Sequence, residues 1–233
     1  MALILNIETS TKSCSVAIGQ KGQLIANKEI YIKNSHSSML TTLIKDVLKK
    51  AQFEFHNLDT IAISKGPGSY TGLRIGVSTA KGLCYAIDKP LISINSLKAM
   101  AYGITTKYKS NNETSVFFCP MIDARRMEVY SAIYDINNNE IRKTKAEIIT
   151  KNSFSNILNK HKILFFGNGA DKCKSILLNK NALFIDNIYA SAVNMITIAE
   201  DKFFKKNFED IACFEPFYLK DFIAGKPKIK GLA

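Results

Sequence analysis

Residues 4–18, ILNIETSTKSCSVAI, read as a strand, a polar turn and a second strand, with the acid Glu8 closing the first. LIANKEIYI (24–32) follows the turn-like GQKG and completes a three-strand antiparallel meander. The unit returns later in the chain. Ile7-Glu8 and Ala17-Ile18 have counterparts in Ile122-Asp123 and Ala132-Ile133, each 115 positions on. A second echo follows in the same order. TIAIS (60–64) runs into Gly66-Pro67-Gly68 and a helix, and ILFFG (163–167) runs into Gly167-Asn168-Gly169 and a helix. Together they predict a duplicated β-β-β-α-β-α unit and hence an α/β fold. The expected lobes are 1–105 and 106–233, with helix 190–206 able to pack back on the first. They would face each other across a cleft, with Glu8 and Asp123 on opposite lips.

The helices come from apolar spacing. Met39, Leu40, Leu43, Ile44, Val47, Leu48 and Ala51 share one face of 37–51, which Ser35 or Ser37 could cap. Residues 71–87, 97–103 (capped by Ser96), 151–159, 170–178 and 190–206 also read as helices, and 140–149 as a strand.

Composition sets outer limits. The chain has 233 residues, 46% hydrophobic and 22% charged, which suits a soluble globular protein. It has no apolar run near the roughly 20 residues of a membrane helix. Its start, MALILNIETS, lacks a basic segment, so a cytoplasmic location without membrane contact is expected. Five scattered cysteines without a C-x-x-C pair argue against disulfides and zinc. His36, His56 and His161 share no helix-turn spacing, so no metal site is expected. The net charge of +12 has two readings. It could mark a nucleic-acid surface. It could equally reflect AT-rich codons, since only four of the 32 basic residues are arginine. The tail 220–233 is basic.

Two features could carry chemistry. Glu8 and Asp123 at strand ends could hold Mg²⁺ or act as acid and base, or they could cap turns. Thr9, Ser10 and Thr11 offer hydroxyls and N–H groups to an anion, or simply build the turn. The loop KGPGSYTGLRIG (65–76) looks like a phosphate cradle. It lacks the Gly-Lys-Ser/Thr of a Walker A loop, and Pro67 removes a donor. The helix after it carries Gly72, Gly76, Ala80 and Cys84 on one small stripe, and Arg74, Ser78, Lys81 and Tyr85 leave only a narrow polar stripe. Such a helix is either a core element or one with a second face for a partner.

ILNIETSTKSCSVAI, ISKGPGSYTGLRIGVSTAKGL, MIDARRMEV and EPFYL, in this order, resemble the TsaB (YeaZ) family. Likeness is close over 3–104, good at 120–134 and 213–219, and weak between. The resemblance implies duplicated actin-like/ribonuclease-H-like lobes of the actin and sugar-kinase superfamily. It implies a non-catalytic dimerization or scaffold subunit for the catalytic subunit TsaD, acting with the ATPase TsaE. Together they modify the adenosine next to the anticodon of tRNA. ATP and Mg are expected on the partners, no cofactor on this chain, tRNA contact through the complex, and a homodimer in isolation. The two histidines that TsaD carries after the strand matching PLISI are absent from Ile94-Asn95-Ser96-Leu97-Lys98-Ala99-Met100. FGNGADK (166–172) is a remnant of the family's nucleotide segments. Carried over, the docking surface is helices 37–51 and 71–87, with Met39, Leu43, Leu73, Val77, Ala80 and Lys81 as contacts. Glu8, Thr9, Ser10 and Asp123 are a vestigial nucleotide or cleft site. The alternative is an ATP-dependent phosphotransferase or metallo-glycoprotease of the same fold.

Overall fold

The computed structural model describes residues 2–31, 36–108 and 116–220, the side chains of 36–38 excepted. The expected cap at Ser35 or Ser37, most of the link 107–115 and the tail beyond 220 lie outside the described residues.

Strands β1 (Leu3–Glu8), β2 (Ser13–Gln20), β3 (Gln23–Tyr31), β4 (Thr60–Gly66) and β5 (Leu91–Asn95) form one sheet in the order β3-β2-β1-β4-β5. Strands β6 (Val116–Asp123), β7 (Glu128–Tyr134), β8 (Glu140–Ile148), β9 (Lys162–Phe166) and β10 (Ala182–Ile185) form the second, ordered β10-β9-β6-β7-β8. Read from the other end, that is the same topology: an antiparallel meander extended by two parallel strands. The duplicated α/β architecture is therefore present. Central β1 is buried along its whole length, Asn6 and Glu8 included, as a strand paired on both sides requires, while edge β3 is mostly exposed.

Helices α1 (His36–Ala51) and α2 (Tyr70–Ile87) cover one face of the first sheet, against Leu5, Ile7, Val16, Ile18, Ile61 and Ile63. Ser69 caps α2 by accepting from Gly72 N at 3.3 Å, and Asp88 ends it in the left-handed region. The other faces are covered by exchange. Helix α3 (Ser96–Tyr108) follows β5, but its Leu97, Met100, Ala101 and Ile104 pack with Phe118 and Ile122 of the second sheet. A 3₁₀ turn at Ala192–Met195 and helix α5 (Ile196–Phe204) end the second half, yet Ala192, Met195, Ile196 and Ala199 pack on Ile4, Ala17, Ala62, Ile92 and Ile94 of the first. Helix α4 (Ser155–Leu158) lies between β8 and β9. No helix among the described residues is long and apolar enough to cross a membrane.

Four expectations change. The helix expected at 151–159 shrinks to four residues, because Phe154 sits at φ 63 and breaks the run. The helix at 170–178 is a 3₁₀ turn, Asp171–Cys173, continued by bonds from Ile176 and Leu177 N to Cys173 O. Successive turns suffice to place Ala170, Cys173 and Leu177 in the core, so the apolar spacing misled. The cap of α3 is Asn95, whose Oδ1 accepts from Lys98 N at 3.1 Å; Ser96 is the first helical residue. Lastly, the repeat is out of register at one of its two matches. Glu8 pairs with Ser15, but Asp123 pairs with Val129, one short of the expected Tyr130. Ile7 consequently packs under α1 and α2, whereas Ile122 packs on the face that holds α3. The acids are not equivalents.

Candidate functional site

The expected cleft residues come first. Glu8, Thr9 and Ser10 are fully buried and line no lip. The glycine loop fills the turn that follows β1. Ser69 N donates to Ser10 O at 2.6 Å. A Cβ on Gly68 would stand 2.2 Å from Ser10 O, one on Gly72 2.2 Å from Thr9 O, and one on Gly76 2.2 Å from Thr9 Oγ1. These glycines are needed because the loop and α2 lie directly on the turn. Glu8 Oε1 accepts from Ser10 N at 2.6 Å and from Ser64 Oγ at 2.9 Å. Its Oε2, Thr9 Oγ1 and Ser10 Oγ have no partner. Burial pushes the Glu8 carboxyl above the ordinary glutamate value, against the pull of those hydrogen bonds.

Asp123 is exposed and belongs to a different arrangement. Its Oδ1 pairs with Lys172 and accepts from Arg125 N at 3.0 Å. The Lys172 ammonium also donates to the carbonyls of Arg126 (2.6 Å) and Glu128 (2.7 Å), so it plugs the turn after β6. Gly169 packs there much as Gly68 does in the first half, its Cβ position 2.8 Å from the Ile122 carbonyl carbon. Both strand-end turns are thus occupied from within the chain, and Glu8 and Asp123 do not form a pair on opposite lips.

The expected docking residues divide. Leu43, Leu73, Val77 and Ala80 are buried in the chain's own core, on the side of α1 and α2 that faces the first sheet. They are removed as direct contacts. The small stripe Gly72, Gly76, Ala80 and Cys84 serves this intramolecular packing as well. Met39 is half-buried. Lys81 is half-buried and donates to Ala212 O and Phe214 O, both at 3.1 Å. It anchors a C-terminal strap over 209–218. The strap begins where Glu209 N bonds Leu91 O and continues through Phe217 N to Lys65 O at 2.7 Å. Tyr218 accepts from Arg74 Nε at 3.3 Å and its ring packs at a tilt against Tyr70, centroids 5.0 Å apart.

Between the strap and α1, α2 keeps an outward face: Thr71, Ser78, Gly82, Tyr85 and Ala86 are exposed, Tyr85 by 85%. Ser78, Gly82 and Ala86 fall four apart, a second small-residue stripe that the sequence reading missed beside the first. A Cβ on Gly82 would meet nothing within 4 Å. The fold does not need glycine there. At the same end of both helices, Leu48, Phe53, Phe55 and Ile87 line an open pocket of about 560 Å³, rimmed by Lys45 and Lys49.

With that geometry in place, relatives give it context. Residues 24–226 match the family model described as TsaD, tRNA N6-adenosine threonylcarbamoyltransferase. The tRNA threonylcarbamoyladenosine biosynthesis protein TsaB of Buchnera aphidicola subsp. Baizongia pistaciae is 30% identical, over 79% of this chain and 82% of its own. The chain belongs to the TsaB family. The TsaB of Escherichia coli is 35% identical over 59% of this chain, an alignment that spans 57% of the relative's length. A crystal structure from Pseudomonas aeruginosa, described as a protein with similarity to peptidase YeaZ, superposes with a TM-score of 0.80. It is 22% identical and covers 94% of this chain and all of that one, so the two chains share this fold.

Proposed function

We propose that this chain is a docking subunit for a TsaD-type threonylcarbamoyltransferase in tRNA threonylcarbamoyladenosine formation, working with a TsaE-type ATPase. The outward face of α2 carries this reading. A mid-helix glycine costs about 1 kcal/mol relative to alanine. Gly82 bears that cost with open space around it, beside a tyrosine that is 85% exposed. Close approach by a helix of another protein gives such a glycine a purpose. Thr41, Thr42 and Lys45 of α1 are exposed and extend the surface, and a second copy of the chain would occupy it when the partner is missing.

A non-catalytic role is supported by the two filled turns. A nucleotide phosphate approaching Thr9 and Ser10 would have to displace the glycine loop. ATP and Mg²⁺ therefore belong to the partner subunits in this account, and tRNA is met through the complex. The test is reconstitution with the host's TsaD and TsaE homologues and the threonylcarbamoyl-adenylate donor. Modified tRNA should form with this chain and fall at least about tenfold without it. Equal yield without it would refute the role, and turnover by this chain alone would refute the non-catalytic part.

A further inference from the structure

The outward faces of α1 and α2 run toward the same end, and there the surface turns concave. On α1, Thr41, Lys45 and Lys49 are exposed and fall four apart, as Ser78, Gly82 and Ala86 do on α2. The first stripe enters the open pocket of about 560 Å³ through Lys45 and Lys49, and the second stops one residue short of Ile87, which also lines it. The floor is Leu48, Phe53, Phe55 and Ile87, carbon throughout, and the last three are only half-buried. No residue of the strap 209–218 lines the pocket, so the chain leaves this carbon surface uncovered.

The rim adds unspent charge. Lys45 and Lys49 stand one helical turn apart, where like charges destabilise a helix. Lys49 is in the last turn of α1, where a cation offsets the helix dipole; Lys45 lies a turn earlier, beyond that reach. Among the described residues neither forms a salt bridge. The acids nearby are committed elsewhere. Asp46 pairs with Lys28 at 2.7 Å, and Glu54, also on the rim, lies 3.3 Å from His56 Nδ1.

We propose that this pocket seats an apolar side chain of the TsaD-type partner with an Asp or Glu beside it, whose carboxylate meets Lys45 and Lys49. An apolar anchor filling a pocket, with a charged pair at its rim, is how a few residues come to dominate an interface. The carbon floor selects a protein side chain over a nucleobase, whose polar edge would find no hydrogen-bond partner there. The proposal rests on the docking reading and adds to it the chemistry that the partner must carry.

Calorimetry with the host's TsaD homologue tests this on the full native chain, on the double variant Lys45→Glu/Lys49→Glu and on Gly82→Arg, each at low and high salt. Both lysines are exposed, so the double variant keeps the fold, which circular dichroism checks. It should bind at least about tenfold more weakly than the native chain and lose most of the native salt dependence. With p-benzoylphenylalanine in place of Lys49, irradiation of the complex should cross-link a partner stretch that holds an acid next to an apolar residue. A cross-link to a second copy of this chain, or to a partner stretch without an acid, would overturn the proposal. If Gly82→Arg weakens binding and the double variant does not, docking stands and the pocket assignment is wrong. If the double variant alone weakens it, the pocket stands and the contact leaves the glycine of α2. No binding by the native chain, or equal binding by all three, would refute both.

Discussion

Gly76 and Gly82 stand six residues apart in one helix and have opposite physical roles. Gly76 is fixed by Thr9, whose Oγ1 would be 2.2 Å from any Cβ there, whereas Gly82 has open space around it. Gly76→Ala should destabilise the chain by about 1–3 kcal/mol through overpacking. Gly82→Ala should stabilise it by up to about 1 kcal/mol through helix propensity. Urea titrations measure both, and a shared sign would contradict the assignment of faces. Glu8 gives a pH prediction. Burial raises its folded-state value above the unfolded one, so its contribution is full below the unfolded value and declines as pH rises through the folded one. Glu8→Gln should match the native chain near pH 4 and melt higher at pH 8. A lower melting temperature at pH 8 would show that the hydrogen bonds from Ser10 and Ser64 outweigh burial.

Helix α2 shows what the sequence disclosed and what it concealed. Its existence, its apolar character and its small stripe were legible from spacing alone. Which stripe faces which neighbour was not, because Gly72–Gly76–Ala80–Cys84 and Ser78–Gly82–Ala86 have the same period. Only the position of Thr9 above Gly72 and Gly76 settles the matter, and that contact crosses more than 60 residues of chain. Leu73, Val77 and Ala80 were misplaced for this reason. The strap was equally invisible, since Lys81 and Arg74 look like ordinary solvated charges. Lys81→Met removes both carbonyl contacts at 212 and 214. Limited proteolysis within 209–218 should then become several-fold faster while the remaining core keeps its protection. Unchanged cleavage would mean that the Arg74–Tyr218 contact and the Phe217 bond to Lys65 hold the strap by themselves.

At the scale of the molecule, the duplicated order of elements was readable in the echoes, yet one echo was a coincidence of register. Ala17-Ile18 and Ala132-Ile133 occupy corresponding faces, while Ile7 and Ile122 do not. A one-residue difference in a hairpin inverts every side chain, and no pattern within the strand records it. The exchange of α3 and α5 was only partly legible, because helical spacing reports an apolar face without naming the sheet that receives it. Each half completes the other's core, so heating should give one cooperative transition. Met195→Ala, at a fully buried position on the first sheet, should lower that transition by about 2–4 kcal/mol without splitting it. Two resolved transitions would show that the halves unfold independently. The docking role rests on the face of α2 that this assembly leaves open. Its most direct test is the affinity of the host's TsaD homologue for the native chain and for Gly82→Arg, measured by calorimetry. The account predicts that the variant folds at least as stably and binds at least about tenfold more weakly; equal affinity would contradict it.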